Sequence, residues 1–395
     1  MPSSFTARLL RNPQLNRVGQ LMEATRLIQR TLAGLTARAG QAPAPAQESS
    51  PFASPGARRK VQDASQGLVI DAVLREVHPS GFDAEADLTP APPLAPSRPQ
   101  ASPSEPASFK ADVFVSAGTS WPYRLYVPAA AGDEALPLVV LLHGCTQTAT
   151  DFALGTAMNQ LAEQKKFLVL YPEQIQRANS SRCWNWFEPK NQKRGSGEPG
   201  MIAALTQQVV ASRNIDASRV YVTGLSAGGA MAAVMAGLYP DIFAAVGVHS
   251  GLPCGAAHDI PSAFTVMRSG NPPKAPGRPK AGRSLPTIVF HGTADKTVHP
   301  DNGEHIVSAA VKAAEAAGKP LARSEVQQEG SGARTARRTR FLAEDGTPWV
   351  EHWEVASGPH GWSGGDTAGS YTDPTGPSAS AAMLEFFLQH RKQAA

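Results

Sequence analysis

Cysteine is scarce in this chain. Only three are present among 395 residues, and none stands in Cys-x-x-Cys spacing. That excludes a disulfide-stapled scaffold and gives no metal site. Three thiols cannot all pair, so at least one is left over or the chain stays reduced, and the count alone does not choose the redox compartment. Long apolar runs are also missing: none reaches the ~18 residues of a membrane span. There is no dense basic stripe, and the net charge of +4 is mild, so nucleic acid is a poor partner. No Gly-rich phosphate loop or other cofactor fingerprint occurs, which points to chemistry carried by side chains alone. The N-terminus has no continuous apolar h-region of the secretory type.

What the chain does have is a β-branched run, residues 220–223, leading into Gly224-Leu225-Ser226-Ala227-Gly228. Residues 229–236 then read as a helix. Strand, Gly-x-Ser-x-Gly and helix in that order form a nucleophile elbow, in which glycines let the backbone fold sharply around an exposed serine. On such sheets an acid and then a histidine follow the serine in chain order. A second apolar strand near 286–290 runs into His291-Gly292-Thr293-Ala294-Asp295. A third, near 350–355, runs into Gly358-Pro359-His360. Ser226, Asp295 and His360 therefore all fall just beyond strand ends on one edge of a parallel sheet, where open α/β sheets place their sites.

The residue types fit one chemistry. A serine hydroxyl needs an imidazole to take its proton. The imidazole needs a carboxylate to hold its tautomer. A tetrahedral intermediate needs backbone N–H donors. One is expected from Ala227, after the nucleophile. The other is expected from Cys145, in the loop after the strand at 138–142. Other polar residues read as structural: His143 and His291 end strands in His-Gly pairs, His249 follows a strand, and His352 sits on one. His299 is the main rival base, while Asp301 and Asp366 are weaker acids. The basic stretches 274–283 and 334–340 read as solvated loops.

Several motifs in order resemble the polyhydroxybutyrate depolymerase family of esterases. They are Leu141-Leu142-His143-Gly144-Cys145-Thr146-Gln147, Cys183-Trp184-Asn185-Trp186-Phe187, the elbow, His249-Ser250-Gly251, His291 to Asp295, and His360-Gly361-Trp362-Ser363-Gly364-Gly365. The likeness runs from about residue 108 to 390 and also takes in feruloyl and acetylxylan esterases. It implies Ser226 as nucleophile, Asp295 as orienting acid and His360 as base. It also implies a Cys145–Cys183 disulfide beside the oxyanion loop; Cys254 departs from the pattern. A polyester offers repeated uncharged ester bonds, so an apolar cleft with Trp184, Trp186 or Trp362 on its wall is expected, rather than a basic pocket. Core packing is the competing reading for each tryptophan.

The fold expected is an α/β-hydrolase, a mostly parallel sheet with helices on both faces. Strands are expected near 123–127, 138–142, 167–171, 219–223, 243–248, 286–290 and 350–355, alternating with helices at 157–165, 201–212 and 305–317. Three segments are expected: a basic amphipathic one at 1–40, a Pro/Ala/Ser-rich flexible linker at 41–107, and the catalytic domain at 108–392. Leu15, Val18, Leu21, Met22, Ile28, Leu32 and Leu35 recur at helical steps among Arg17, Arg26 and Arg30. That pattern suits an anchor at a hydrophobic surface such as a polyester granule, an organelle presequence, or a packed or frayed helix. The resemblance without a recognisable signal implies a cytoplasmic, granule-associated esterase, with export by another route as the alternative. Two other functions stay open, a small-ester feruloyl or acetylxylan esterase and a non-catalytic granule coat; a peptidase on the same fold ranks low.

Overall fold

The computed structural model describes residues 106–129, 134–271, 285–329 and 333–392. The N-terminal amphipathic segment, the linker up to residue 105 and the basic stretch at 274–283 lie outside the described residues.

A ten-stranded sheet runs through the described region. Its strands are β1 (Ser108–Ser116), β2 (Thr119–Val127), β3 (Leu136–Leu142), β4 (Leu168–Pro172), β5 (Ile215–Gly224), β6 (Ala245–His249), β7 (Thr287–Gly292), β8 (Ala322–Glu329), β9 (Thr335–Leu342) and β10 (Pro348–Val355). Their spatial order is β1-β2-β4-β3-β5-β6-β7-β10-β9-β8. From β4 through β10 neighbours pair in parallel, and the hairpins β1–β2 and β8–β9 add antiparallel flanks. This is the α/β-hydrolase arrangement.

The central strands are continuous apolar runs because both of their faces are covered. Every residue of β3, Leu-Pro-Leu-Val-Val-Leu-Leu, is buried, as is every residue of β4, β6 and β7. Alternation along the strand splits the core into two layers. Leu138, Val140 and Leu142 join Ile202, Leu205, Met231, Val266 and Ile306 on one face. Those partners sit on α3 (Gly197–Ser212), α4 (Ala227–Leu238), α5 (Ile260–Ser269) and α6 (Asp301–Ala316). Val139 and Leu141 join Phe152, Met158, Phe386 and Phe387 on the other. These come from α1 (Ala149–Thr156), α2 (Met158–Lys165) and α7 (Ala379–Leu388). Two-residue strands β11 (Trp362–Ser363) and β12 (Thr372–Asp373) pair beside the sheet and brace the loop that carries His360.

One expectation is overturned here. Residues 334–340 are not a loop, because all but the first lie on β9, paired antiparallel with β10 and β8. The stretch reads as solvated because its side chains are Arg and Thr. Two of its arginines instead pair across to β10, Arg337 with Glu354 at 2.6 Å and Arg338 with the fully buried Glu351 at 2.7 Å. Cross-strand charge pairing of this kind stabilises a strand that has little apolar surface. The hairpin strands β1 and β8 were likewise outside the expected set.

Candidate active site

The site begins at the end of β5. The chain turns so tightly that Ser226 adopts φ 58° and ψ −119°, a conformation that costs a non-glycine residue about 1–3 kcal/mol. Two contacts hold it: Ser226 N–H donates to His249 C=O at 2.9 Å, and Gly228 N–H donates to Leu225 C=O at 2.8 Å. Glycine is required on both sides. A Cβ on Gly224 would stand 2.5 Å from Leu142 O, and one on Gly228 would fall on the same carbonyl. The turn thus packs backbone against backbone with β3.

Asp295 follows β7. Its Oδ1 accepts from the Thr297 and Val298 amides at 2.8 and 2.9 Å. Its Oδ2 accepts from His360 Nδ1 at 2.7 Å, and the carboxylate is fully buried. Burial alone would raise its pKa. The imidazole charge of His360, its hydrogen bond and the nearby His291 outweigh it, so the group is held well below the usual carboxylate range. An ionised Asp295 fixes the His360 proton on Nδ1 and leaves Nε2 as the acceptor. His360 and Ser226 line the same cavity. No hydrogen bond joins the two side chains among the described residues; such contacts tighten when substrate binds.

The oxyanion loop follows β3. Gln147 Oε1 accepts from Gly144 N–H at 2.9 Å, while Gln147 Nε2 donates to Asp151 at 2.9 Å and to Ser370 O at 3.0 Å. A disulfide joins Cys145 to Cys183, as the resemblance implied, and Thr146 N–H donates to Ser181 O at 2.7 Å. The loop is therefore tied at three points. The N–H of Cys145 and the N–H of Ala227, which opens α4, have no hydrogen-bond partner among the described residues, and both residues line the cleft beside Ser226. Cys254 lies outside the disulfide, its Sγ 3.5 Å from Gln192 Oε1.

The other histidines are committed elsewhere. His143 donates from Nδ1 to Gly144 O at 2.7 Å and accepts at Nε2 from Gln174 N–H at 3.0 Å. Burial lowers its pKa. His249 accepts from Ser363 N–H at 2.9 Å, and burial pulls its pKa down to about 3. His291 Nε2 lies 3.5 Å from Asp295 but donates to Val298 O at 2.9 Å. His299 pairs with Asp301 at 3.3 Å, so neither rival joins the site. Asp366 closes a local turn onto Ala368.

The cleft has two arms that meet at Ser226. The larger, about 470 Å³, is walled by the loop carrying Cys183 to Glu188 and by Phe264 and Met267 of α5. Trp184 and Trp186 belong to this wall, though both are buried. Trp362 does not, which corrects that expectation. It is in the core, stacked on His249 at 5.0 Å and edge-on to Phe152 at 5.5 Å, with its indole N–H donating to Ser380 Oγ at 3.0 Å. Behind the wall, Glu198 accepts from Gln174 and from the backbone and side chain of Asn185. Burial outweighs those donors and raises its pKa to about 7. The smaller arm, about 80 Å³, is lined by His360, Tyr371, Thr297, Lys296 and Arg268, and shares the apolar Phe264 and Met267 with the larger. Sequence reasoning missed Glu198, Tyr371, Lys296 and Arg268. Nothing in the sequence marks them for a site role, and only the fold brings these positions together.

A strained serine, a histidine tied to a buried carboxylate and two unclaimed amides around one cavity can do nucleophilic acyl transfer. Comparisons with known proteins agree. Over 191 residues, 46% of this chain and 46% of the relative, the sequence is 43% identical to poly(3-hydroxyalkanoate) depolymerase C of Paucimonas lemoignei. It is 34% identical to feruloyl esterase B of Neurospora crassa over 44% of this chain and 64% of that protein. The chain thus spans only about half to two thirds of the length of these relatives. The fold resembles acetyl xylan esterase from Aspergillus awamori, with a TM-score of 0.54 and 21% identity, covering 71% of this chain and 99% of that one. The model of the family described as esterase PHB depolymerase matches residues 121–331, a span that holds Ser226 and Asp295 and ends before His360. The chain belongs to the esterase PHB depolymerase family.

Proposed function

We propose that this protein is a serine carboxylic-ester hydrolase acting on poly(3-hydroxybutyrate)-type polyester or its oligomers. The observation that carries the reading is the 2.7 Å hydrogen bond from His360 to buried Asp295, facing the cavity that Ser226 lines. In this reading His360 Nε2 takes the Ser226 proton as Oγ attacks the ester carbonyl. The Cys145 and Ala227 amides receive the oxyanion, and Asp295 stabilises the imidazolium. His360 then protonates the departing alcohol, and a water activated by the same imidazole cleaves the acyl-enzyme. The apolar arm beside Phe264, Met267 and Trp186 suits an uncharged polyester chain. Support for the substrate class comes from the 43% identity with a poly(3-hydroxyalkanoate) depolymerase. The likeness to a feruloyl esterase at 34% identity favours a second reading, a small-ester esterase.

Amorphous poly(3-hydroxybutyrate) granules and methyl ferulate, each with wild type and Ser226→Ala, separate the two. Release of hydroxybutyrate by wild type alone supports the polyester reading. Turnover of ferulate without polymer degradation moves the function to small esters. We also propose that residues 1–40 hold the protein at a granule surface in the cytoplasm, on the sequence pattern alone. Deleting them should release it from granules while soluble-ester turnover persists; unchanged granule binding contradicts this.

A further inference from the structure

We propose that the smaller arm of the cleft is a carboxylate subsite, so that the enzyme prefers esters whose leaving group is a hydroxy acid with a free carboxylate. This rests on the ester-hydrolase reading and names the substrate end that site takes. Arg268, in the last turn of α5, and Lys296, in the loop after β7, reach the arm from different elements. Neither has an acidic partner among the described residues. The acid nearest in the chain, Asp295, is buried and bonded to His360. The larger arm differs in degree: it carries one cation, Arg177, together with an acid, Glu188, that is paired with Lys190 at 2.9 Å. A polyester backbone is uncharged, so two uncompensated cations beside the nucleophile do not serve its interior units.

The position of His360 tells which half of the ester meets them. The base protonates the leaving oxygen, so the alcohol half departs on the side His360 lines, and that is the smaller arm. In a 3-hydroxyalkanoate oligomer cleaved at its last ester bond, the alcohol half is one 3-hydroxy acid. Its carboxylate carbon stands three bonds from the leaving oxygen, about 4 Å away at ordinary bond lengths. A small arm lined by two cations suits such a unit, and Thr297 and Tyr371 line it too. The acyl–oxygen bond breaks as Ser226 Oγ bonds to the acyl carbon. The Ser226 proton passes through His360 to the leaving oxygen, and the hydroxy acid departs with its carboxylate still ionised. Water then releases the shortened oligomer. The enzyme therefore removes single units from the carboxyl end.

The test uses the 3-hydroxybutyrate dimer as the free acid and with its carboxyl end capped as a carboxamide, with full-length wild type and with Arg268→Gln/Lys296→Gln. Both positions are exposed, so the variant should fold. Wild type should favour the free acid about tenfold in kcat/KM, the scale of a partly screened hydrogen-bonded charge. In the double variant that ratio should fall towards one, chiefly through KM, and 0.5 M salt should also reduce it. Equal turnover of both dimers by wild type, or an unchanged ratio in the variant, overturns the subsite. Failure of the ester-hydrolase reading looks different: neither dimer nor a p-nitrophenyl ester is cleaved.

Discussion

Two regions of the sheet treat polar groups in opposite ways. On the antiparallel flank, charge is spent on structure: Arg337 lies on Glu354 and Arg338 on Glu351. At the carboxyl ends of β3, β5, β7 and β10, bonding capacity is withheld. The Cys145 and Ala227 amides, His360 Nε2 and the two cations of the smaller arm wait for a substrate, and Ser226 carries a strained backbone. The flank teaches how a polar strand stays folded. The loops show what that stability holds in readiness, since preorganised, unclaimed donors need no rearrangement when charge develops.

The comparison breaks most severely at Asp295. Asp295→Asn keeps the shape but favours the wrong His360 tautomer, so kcat for a soluble ester should fall by about 10⁴-fold with little change in Tm. Gly228→Ala strikes next. Its Cβ meets Leu142 O, so the elbow must shift; roughly a hundredfold loss of activity with a lower Tm is expected, read by kinetics and calorimetry. On the flank, Arg338→Ala strands the fully buried Glu351 carboxylate. It should cost about 3–5 kcal/mol in denaturant unfolding while folded enzyme keeps its kcat.

Glu198 lies between the two regimes, a buried acid behind the cleft wall. Its folded pKa is raised to about 7, so the stability it contributes is full below its unfolded value near 4.5 and is lost as pH rises towards and through 7. Unfolding free energy of wild type should therefore decline across that window by up to about 3 kcal/mol relative to Glu198→Gln. A flat difference between the two contradicts this. The smallest effect is at Arg337, about half exposed: Arg337→Ala should change stability by less than about 1 kcal/mol.

Much of the site was legible because it is local. The elbow is a contiguous strand, turn and helix. Asp295 follows an apolar strand, and His360 follows the mixed strand β10 through a Gly/Pro loop. The flank was not legible, because five of the eight residues of β9 are Arg or Thr, and Arg337 and Arg338 find their partners on glutamates of β10 in a pairing no periodicity reveals. Trp362 misled through nearness in sequence: after Gly361 the chain enters β11 and carries the indole into the core between His249 and Phe152. Arg268 and Lys296 are 28 positions apart in the chain; only the fold sets both beside His360.

The central claim is that Ser226 is a nucleophile activated through His360 and Asp295. It is tested most directly by treating the protein with a fluorophosphonate and mapping the adduct by mass spectrometry, alongside Asp295→Asn. One phosphonyl group on Ser226, formed much more slowly in the variant, is the predicted result. No adduct, or an adduct on another serine, contradicts it.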